Sequence, residues 1–257
     1  MIPLTALILT YNEQENIGRA LSALSSIDQI VIVDSFSTDR TVEIARGIRP
    51  DVVVRSYAFR SFADQCNFGL SQITTEWVLS IDADYILTPG LITEISGLNP
   101  ANDIAGYSVG FCYCVFGHVL RSTVYPARTV LYRRELARYR DEGHGHRVVV
   151  DGKVQRLFGK INHDDRKPLS RWIKAQDRYA KIEAAHLTVT PRSQLNVQDR
   201  LRKQIFFAPL ALSIYLLLVC GLFLDGWRGW YYVFQRTVAE LMLSLRLLEQ
   251  KLSGKSH

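Results

Sequence analysis

The chain has 257 residues, 47% hydrophobic and 22% charged, with a net charge of +6. That composition excludes a disordered or fibrous chain and leaves room for one large folded domain with an appendage. Residues 192–257 hold nine Lys/Arg against four Asp/Glu, while the first 191 hold 22 against 21. A near-neutral body is no polyanion binder, so nucleic acid is not expected as a partner, and a basic, apolar tail suits an anionic membrane surface instead.

The start, "MIPLTALILTYNE", reads as a strand and not as a secretory leader, so a cytoplasmic body is expected. Strand 4–10 precedes a helix over 12–26, with Ile17, Ala20, Leu21 and Leu24 at helical spacing and Asn12 as its N-cap. Strand 29–34, a capped helix over 37–48, strand 51–57, a helix around 61–72 and strand 76–82 follow. Near-continuous apolar strands between amphipathic helices predict an α/β fold, a mostly parallel sheet covered on both faces. Ligands of such sheets bind beyond the carboxyl ends of the strands. Polar residues gather there: Thr10 to Glu13, Asp34 with Ser35, and Asp82 with Asp84.

From 104 to 160 the pattern turns β-rich ("AGYSVGFCYCVFG", "ARTVLYRR", "HRVVVDG", "KVQRLFG") and should extend the sheet, followed by a helix over 168–187. The expected organisation is 1–103 and 104–191 as two halves of one domain, with 192–257 as C-terminal helices. Residues 205–224 carry no charge, and twenty residues of helix span about 30 Å, the depth of a bilayer core. A second segment places Trp227, Trp230, Tyr231, Phe234, Val238, Leu241, Leu245 and Leu248 on one face. Arginines lie on both sides of the uncharged run, so a re-entrant or in-plane hairpin returning to the cytoplasmic face is expected. The alternative is a buried helical hairpin. Cys66, Cys112, Cys114 and Cys220 match no zinc or redox spacing and read as packing thiols in a reducing compartment.

In "WVLSIDADYILTPGL", Asp82 and Asp84 stand one residue apart at a strand end. Two adjacent carboxylates lose their repulsion around a hard cation such as Mg²⁺ or Mn²⁺, which can also bridge a diphosphate leaving group. Carboxylates in a turn are the plainer alternative. Asp34 leaves its strand where a base or ribose can meet a carboxylate. Thr38 and Asp39 suit either helix capping or ligand contact. Tyr11 can stack on a base. Glu13 can accept a hydrogen bond from the ligand or simply favour the helix dipole.

"LILTYNEQENIGRAL", "VIVDSFSTDRTVEIA", "FRSFADQCNFGL" and "WVLSIDADYILTPGL", in this order, resemble family 2 glycosyltransferases of the GT-A (Rossmann-like) fold. The similarity covers about residues 3–165, returns in "LFLDGWRGW", and points to the branch of lipopolysaccharide core β-1,4-glucosyltransferases and related polysaccharide-assembly enzymes. The resemblance implies that Tyr11, Glu13 and Asp34 hold the nucleotide, that Gln65 and Asn67 line the donor pocket, and that Asp82 and Asp84 bind a Mn²⁺ or Mg²⁺ diphosphate. Arg128, in "YPARTVLYRR", is expected near phosphate or acceptor. Such enzymes are usually inverting, which needs a general base on the acceptor hydroxyl. "YRDEGHGHRV" offers Asp141, Glu142, His144 and His146; the branch has a His-Glu pair where this chain has His146 followed by Arg147. Glu142 is favoured as base, then Asp141, with His146 as a metal or phosphate partner; His163 in "INHDD" either reaches the site or is structural. A zinc site of His144, His146 and His163 is disfavoured without thiolates. The expected activity is hexose transfer from a nucleotide-sugar, most simply a UDP-sugar, to a lipid-linked saccharide at the cytoplasmic membrane face. The competing readings are a polyprenyl-phosphate glycosyltransferase and a non-catalytic nucleotide-binding scaffold.

Overall fold

The computed structural model describes residues 2–142 and 145–254; of residues 142, 145 and 146 it describes the backbone only. The chain divides into two compact units, one of residues 1–119 and 123–167, the other of 120–122 and 168–257. The boundary at 167/168 groups the helix expected over 168–187 with the C-terminal helices.

The first unit opens with β1 (Leu4–Thr10), α1 (Ile17–Ala23), β2 (Gln29–Asp34), α2 (Thr41–Ile48), β3 (Val53–Ser56), α3 (Phe62–Ser71) and β4 (Trp77–Asp82). It continues with β5 (Tyr85–Leu87), α4 (Pro89–Ser96), β6 (Ile104–Val115), β7 (His118–Val119), β8 (Arg128–Arg133), β9 (Ala137–Glu142), β10 (Gly145–Val150) and β11 (Lys153–His163). The main sheet runs β3-β2-β1-β4-β8-β6-β11-β5. Its first four strands are parallel, as is β6 with β11, whereas β8 is antiparallel to both β4 and β6, and β5 to β11. Thus the expected α/β sheet is present, and the β-rich stretch extends it through β6, β8 and β11. "HRVVVDG" does not join it, because β10 pairs with β9 in a separate ribbon.

Both faces of β1, β2 and β4 are covered, which is why these strands are apolar over most of their length, whereas the edge strand β3 is largely exposed. Alternate residues of one strand point to opposite faces. Ala6 and Ile8 of β1 pack with Ile17 and Leu21 of α1, and Leu91 and Ile95 of α4. Leu7 faces the other way, onto Ala63, Cys66 and Leu70 of α3. There α3 lies so close that a Cβ on Gly69 would stand 2.6 Å from Leu7 Cδ1.

Two helix starts differ from expectation. Asn12 does not cap the helix over 12–26; it has φ 55° and its Oδ1 accepts from Thr38 N (2.7 Å) in the facing loop, so α1 begins only at Ile17. The second helix begins at Thr41, where Asp39 Oδ1 accepts the Thr41 amide (3.0 Å), so Asp39 caps. By contrast, α3 starts as read, with Ser61 Oγ accepting from Asp64 N (3.2 Å).

The second unit contains α5 (Leu169–Val189), α6 (Val197–Arg202), α7 (Phe207–Ile214) and α8 (Gly226–Ser253). The uncharged run 205–224 is not one continuous helix. After α7 the chain makes a π turn over Tyr215–Val219, passes Gly221 at φ 68°, and makes a 3₁₀ turn over Leu222–Asp225 before α8. Among the described residues no single helix is long and apolar enough to cross a membrane, but the segments Phe207–Val219 and Leu222–Ser253, bent by 70°, pass that test together. Ala180, Ala184 and Leu187 of α5 pack with Leu243 and Leu247 of α8. Arg202 reaches Glu240 (2.9 Å) and Glu183 (3.2 Å). Arg121 joins this unit through Asp225 (3.0 Å).

Candidate active site

The register of the parallel strands sets three carboxylates along one edge. Thr10 of β1 pairs with Asp34 at the end of β2, and Leu9 pairs with Asp82 at the end of β4. Two strand spacings, about 10 Å, separate Asp34 from Asp82 across β1. Asp34 is buried. Its Oδ1 accepts from Thr10 Oγ1 (2.7 Å) and Ser37 Oγ (2.6 Å), and its Oδ2 from Ser37 N (2.8 Å). Gln65, expected in the donor pocket, is buried with its amide on Ser35 Oγ (2.6 Å) and Val33 O (3.3 Å), so it braces the end of β2. Tyr11 lies exposed on the loop after β1.

Asp84 follows β4 by two residues and is 9% exposed. It meets His163 because β5 pairs with β11, setting Tyr85 opposite His163, and Asp164 N donates to Asp84 O (3.0 Å). His163 Nε2 stands 3.2 Å from Asp84 Oδ2. Asp84 Oδ1 and His163 Nδ1 are buried without a hydrogen-bond partner among the described residues. Burial works against the charge of Asp84, yet His163 and Lys167 outweigh it and hold the carboxyl below its ordinary value. Burial likewise opposes the charge on His163, and Asp84 overcomes it and raises the imidazole.

Lys167 and its pairing with Glu13 and Asp165 were not foreseen in the sequence. Its Nζ lies 2.9 Å from Glu13 Oε1 and 3.6 Å from Asp165 Oδ1. Burial pulls the ammonium down, but Asp84, Glu13 and Asp165 raise it, so it stays charged. Glu13 also accepts from Asn16 Nδ2 (2.9 Å), and burial pushes its carboxyl up against the pull of Lys167. The signal lay in "HDDRK", where two basic residues follow the acids at once.

Aromatic rings wall the other side. Tyr85, Tyr113 and Tyr125 pack edge-on around His163 at 5.0 to 5.3 Å between centroids, and the Tyr85 and Tyr125 hydroxyls are 2.6 Å apart. Burial pushes the Tyr125 phenol up to about 12. Arg128 lies over the Tyr125 ring, 4.6 Å from its centroid; burial lowers its pKa, but Tyr85, Tyr125, Asp82 and Asp84 outweigh that and keep it raised.

Asn67, expected to line the donor pocket, has its amide on the protein backbone. It clasps one peptide of β9, donating to Tyr139 O (3.1 Å) and accepting from Tyr139 N (2.9 Å). Asp141, the second choice of base, accepts from Ala63 N (3.2 Å) in the first turn of α3, a capping role. The side chains of Glu142 and His146, and His144 entirely, lie outside the described residues. Backbone pairing of His146 with Asp141 puts both on one ribbon.

The donor set fits a hard cation in part. Asp84 Oδ1 is a buried carboxylate oxygen without a hydrogen-bond partner among the described residues, and Asp82 ends the adjoining strand. Among the described residues no three His, Cys, Asp or Glu converge on one point. The protein alone therefore offers two carboxylates, and the remaining oxygens of a Mg²⁺ or Mn²⁺ shell would come from phosphate and water.

The family model "Glycosyl transferase family 2" matches residues 5–162. The lipopolysaccharide core biosynthesis glycosyltransferase LpsC of Rhizobium meliloti is 29% identical over 251 residues, 91% of this chain and 90% of that protein. An uncharacterized glycosyltransferase of Rickettsia typhi is 36% identical over 96 residues, 37% of this chain; the match spans about a third of that relative's length (32%). Among solved structures, glucosyl-3-phosphoglycerate synthase from Mycobacterium tuberculosis, crystallised with Mn²⁺, UDP and phosphoglyceric acid, gives a TM-score of 0.47 at 18% identity, covering 76% of this chain and 81% of that one.

Proposed function

The chain belongs to glycosyl transferase family 2, and from that premise we propose that it moves a hexose from a nucleotide-sugar, most simply a UDP-sugar, to a lipid-linked saccharide with inversion. The name of the Rhizobium relative supports an acceptor of the lipopolysaccharide core. One observation carries the reading: Asp34, Asp82 and Asp84 share the carboxyl edge of the sheet, and Asp84 keeps a buried oxygen with no hydrogen-bond partner among the described residues.

In this reading Asp34 and Glu13 hold the nucleoside, and Arg128 faces the phosphates. Asp82 and Asp84 hold the divalent cation, which when bound supplies positive charge against the departing diphosphate. The acceptor hydroxyl attacks the anomeric carbon from the face opposite the leaving group. The new C–O bond forms as the bond to the diphosphate breaks, and Glu142 takes the hydroxyl proton. His163 orients Asp84 through its Nε2 contact.

In this reading the reaction runs at the cytoplasmic face of a membrane, with the second unit as its contact. Phe206, Phe207, Leu210, Leu218, Val219, Trp227 and Leu245 are all more than 60% exposed there, a density of apolar side chains suited to the headgroup boundary. A nucleotide-release assay tests the whole: UDP-, GDP-, ADP- and dTDP-sugars, membrane lipid extract, with Mn²⁺, Mg²⁺ or EDTA. Lipid-dependent release from one donor, abolished by EDTA, is expected; no release from any donor overturns the reading.

A further inference from the structure

Three non-glycine residues among those described hold a left-handed backbone: Asn12 (φ 55°), Phe36 (φ 58°) and Phe116 (φ 48°). L side chains adopt that region rarely, and bulky ones least of all. Two of the three have a local reason. Asn12 tolerates the conformation and uses it to bond Thr38 N through its side chain (2.7 Å). Phe116 with Gly117 (φ 82°) joins the paired residues Val115 and His118 of β6 and β7, a two-residue turn that requires positive φ at both centres.

Phe36 owes its backbone to the turn in which Asp34 Oδ2 accepts from Ser37 N (2.8 Å), but that turn gives no role to a phenyl ring. Phe36 lies in the loop from β2 to α2, where glycine would meet the same backbone demand without strain. Its ring is 60% exposed, so packing against the protein does not offset the cost. Strain retained without structural return is a pointer to function.

Its place says which function. Phe36 stands two residues past Asp34, and Tyr11, 55% exposed, directly follows Thr10, the register partner of Asp34. The two loops are locked together: Ser35 N donates to Thr10 O (2.9 Å), and Asn12 N to Ser37 Oγ (2.7 Å). Two exposed aromatic residues thus stand on two loops hydrogen-bonded to each other, next in the chain to the strand ends that carry one buried carboxylate and its partner Thr10, about 10 Å along the edge from Asp82.

We infer that Phe36 is a donor-binding residue whose ring, with Tyr11, takes the planar base of the donor nucleotide between two aromatic faces. The inference rests on the nucleotide-sugar reading above and adds a residue to it. The base is gripped by stacking, while Asp34 meets its polar edge. Such a jaw is tolerant of base identity, so the rings supply affinity and the carboxylate supplies selection.

The test exploits the strain. Phe36→Gly relieves the backbone, so the full-length variant should keep or raise its Tm. Calorimetric titration with UDP, GDP, ADP and inorganic pyrophosphate, each with Mg²⁺, then separates base from phosphate. Expected are a loss of about tenfold in affinity for the preferred nucleoside diphosphate, unchanged pyrophosphate binding, and recovery in Phe36→Trp. Equal nucleotide affinity in wild type and Phe36→Gly, whatever the Tm, overturns the inference and leaves the donor reading standing. A wild-type chain that binds none of the nucleotides overturns both.

Discussion

A buried carboxylate in the first unit, Asp84, is held below its ordinary pKa by a histidine and a lysine about eighty residues downstream, His163 and Lys167. Asp84→Asn keeps shape and removes charge. It should cut divalent-cation-dependent nucleotide release by about a hundredfold, with the fold retained by circular dichroism; undiminished release would remove Asp84 from the chemistry. Lys167→Met leaves Glu13 and Asp165 without their ammonium. Stranding a largely buried charge costs about 3–5 kcal/mol, so urea unfolding should shift strongly to lower concentration, and Lys167→Arg should recover part of the loss. The strand-end place of Asp82 and Asp84 was legible because the apolar run of β4 stops just before them. The counter-charges of Asp84 were not: no local pattern announces that His163 will be brought opposite Tyr85, since that pairing belongs to β5 and β11 and only the closed sheet creates it. Gln65 and Asn67 were read as lining the donor pocket; the structure adds that Gln65 Nε2 bonds Val33 O and Ser35 Oγ and that the Asn67 amide bonds the Tyr139 peptide. A short motif marks that an amide is required, not what it grips.

Among elements, contacts at strand ends and helix faces decide which pieces stay together. A Cβ at Gly159 of β11 would lie 2.5 Å from Leu91 Cα, inside the first turn of α4. Gly159→Ala should therefore push α4 off the sheet and cost about 1–3 kcal/mol, read as a lowered Tm. Asp164 ties three elements: Arg19 of α1 (2.6 Å), Arg166 (2.9 Å) and the Gly117 amide between β6 and β7 (3.1 Å). Burial opposes its charge, but the Arg166 hydrogen bond, the Gly117 amide and Arg19 prevail and depress the carboxyl below 3.8. A depressed carboxylate binds fewer protons folded than unfolded, so its stabilisation is full above that ordinary value and is lost as pH falls through the lower folded one. Asp164→Asn should flatten the acid limb of stability against pH, measured by urea titration below pH 4. The parallel half was legible since apolar runs and capped helices alternate; the ribbon of β9 and β10 was not. "HRVVVDG" has the composition of a sheet strand, and only its pairing partner distinguishes the two outcomes.

For the whole molecule, the second unit carries the question of where the enzyme works. Trp227, Phe234, Val238, Leu241, Leu245 and Leu252 of α8 are exposed, and at 3.6 residues per turn they form one stripe. Phe234→Asp with Leu241→Asp should abolish co-sedimentation with vesicles containing anionic phospholipid while nucleotide affinity persists. Retained sedimentation would assign the stripe to something other than lipid. The apolar length of 205–224 was plain in the sequence, but its break was hidden, because the π turn and the left-handed Gly221 interrupt the helix without any proline or charge at that point. Arg202 holds Glu183 and Glu240 at once, and Glu240 lies on the side of α8 away from the stripe. A slip of one residue would rotate α8 by about 100° and strand that carboxylate. The ion triad thus acts as a detent on the azimuth of the helix: which way its greasy side looks is chosen by an electrostatic latch on its back.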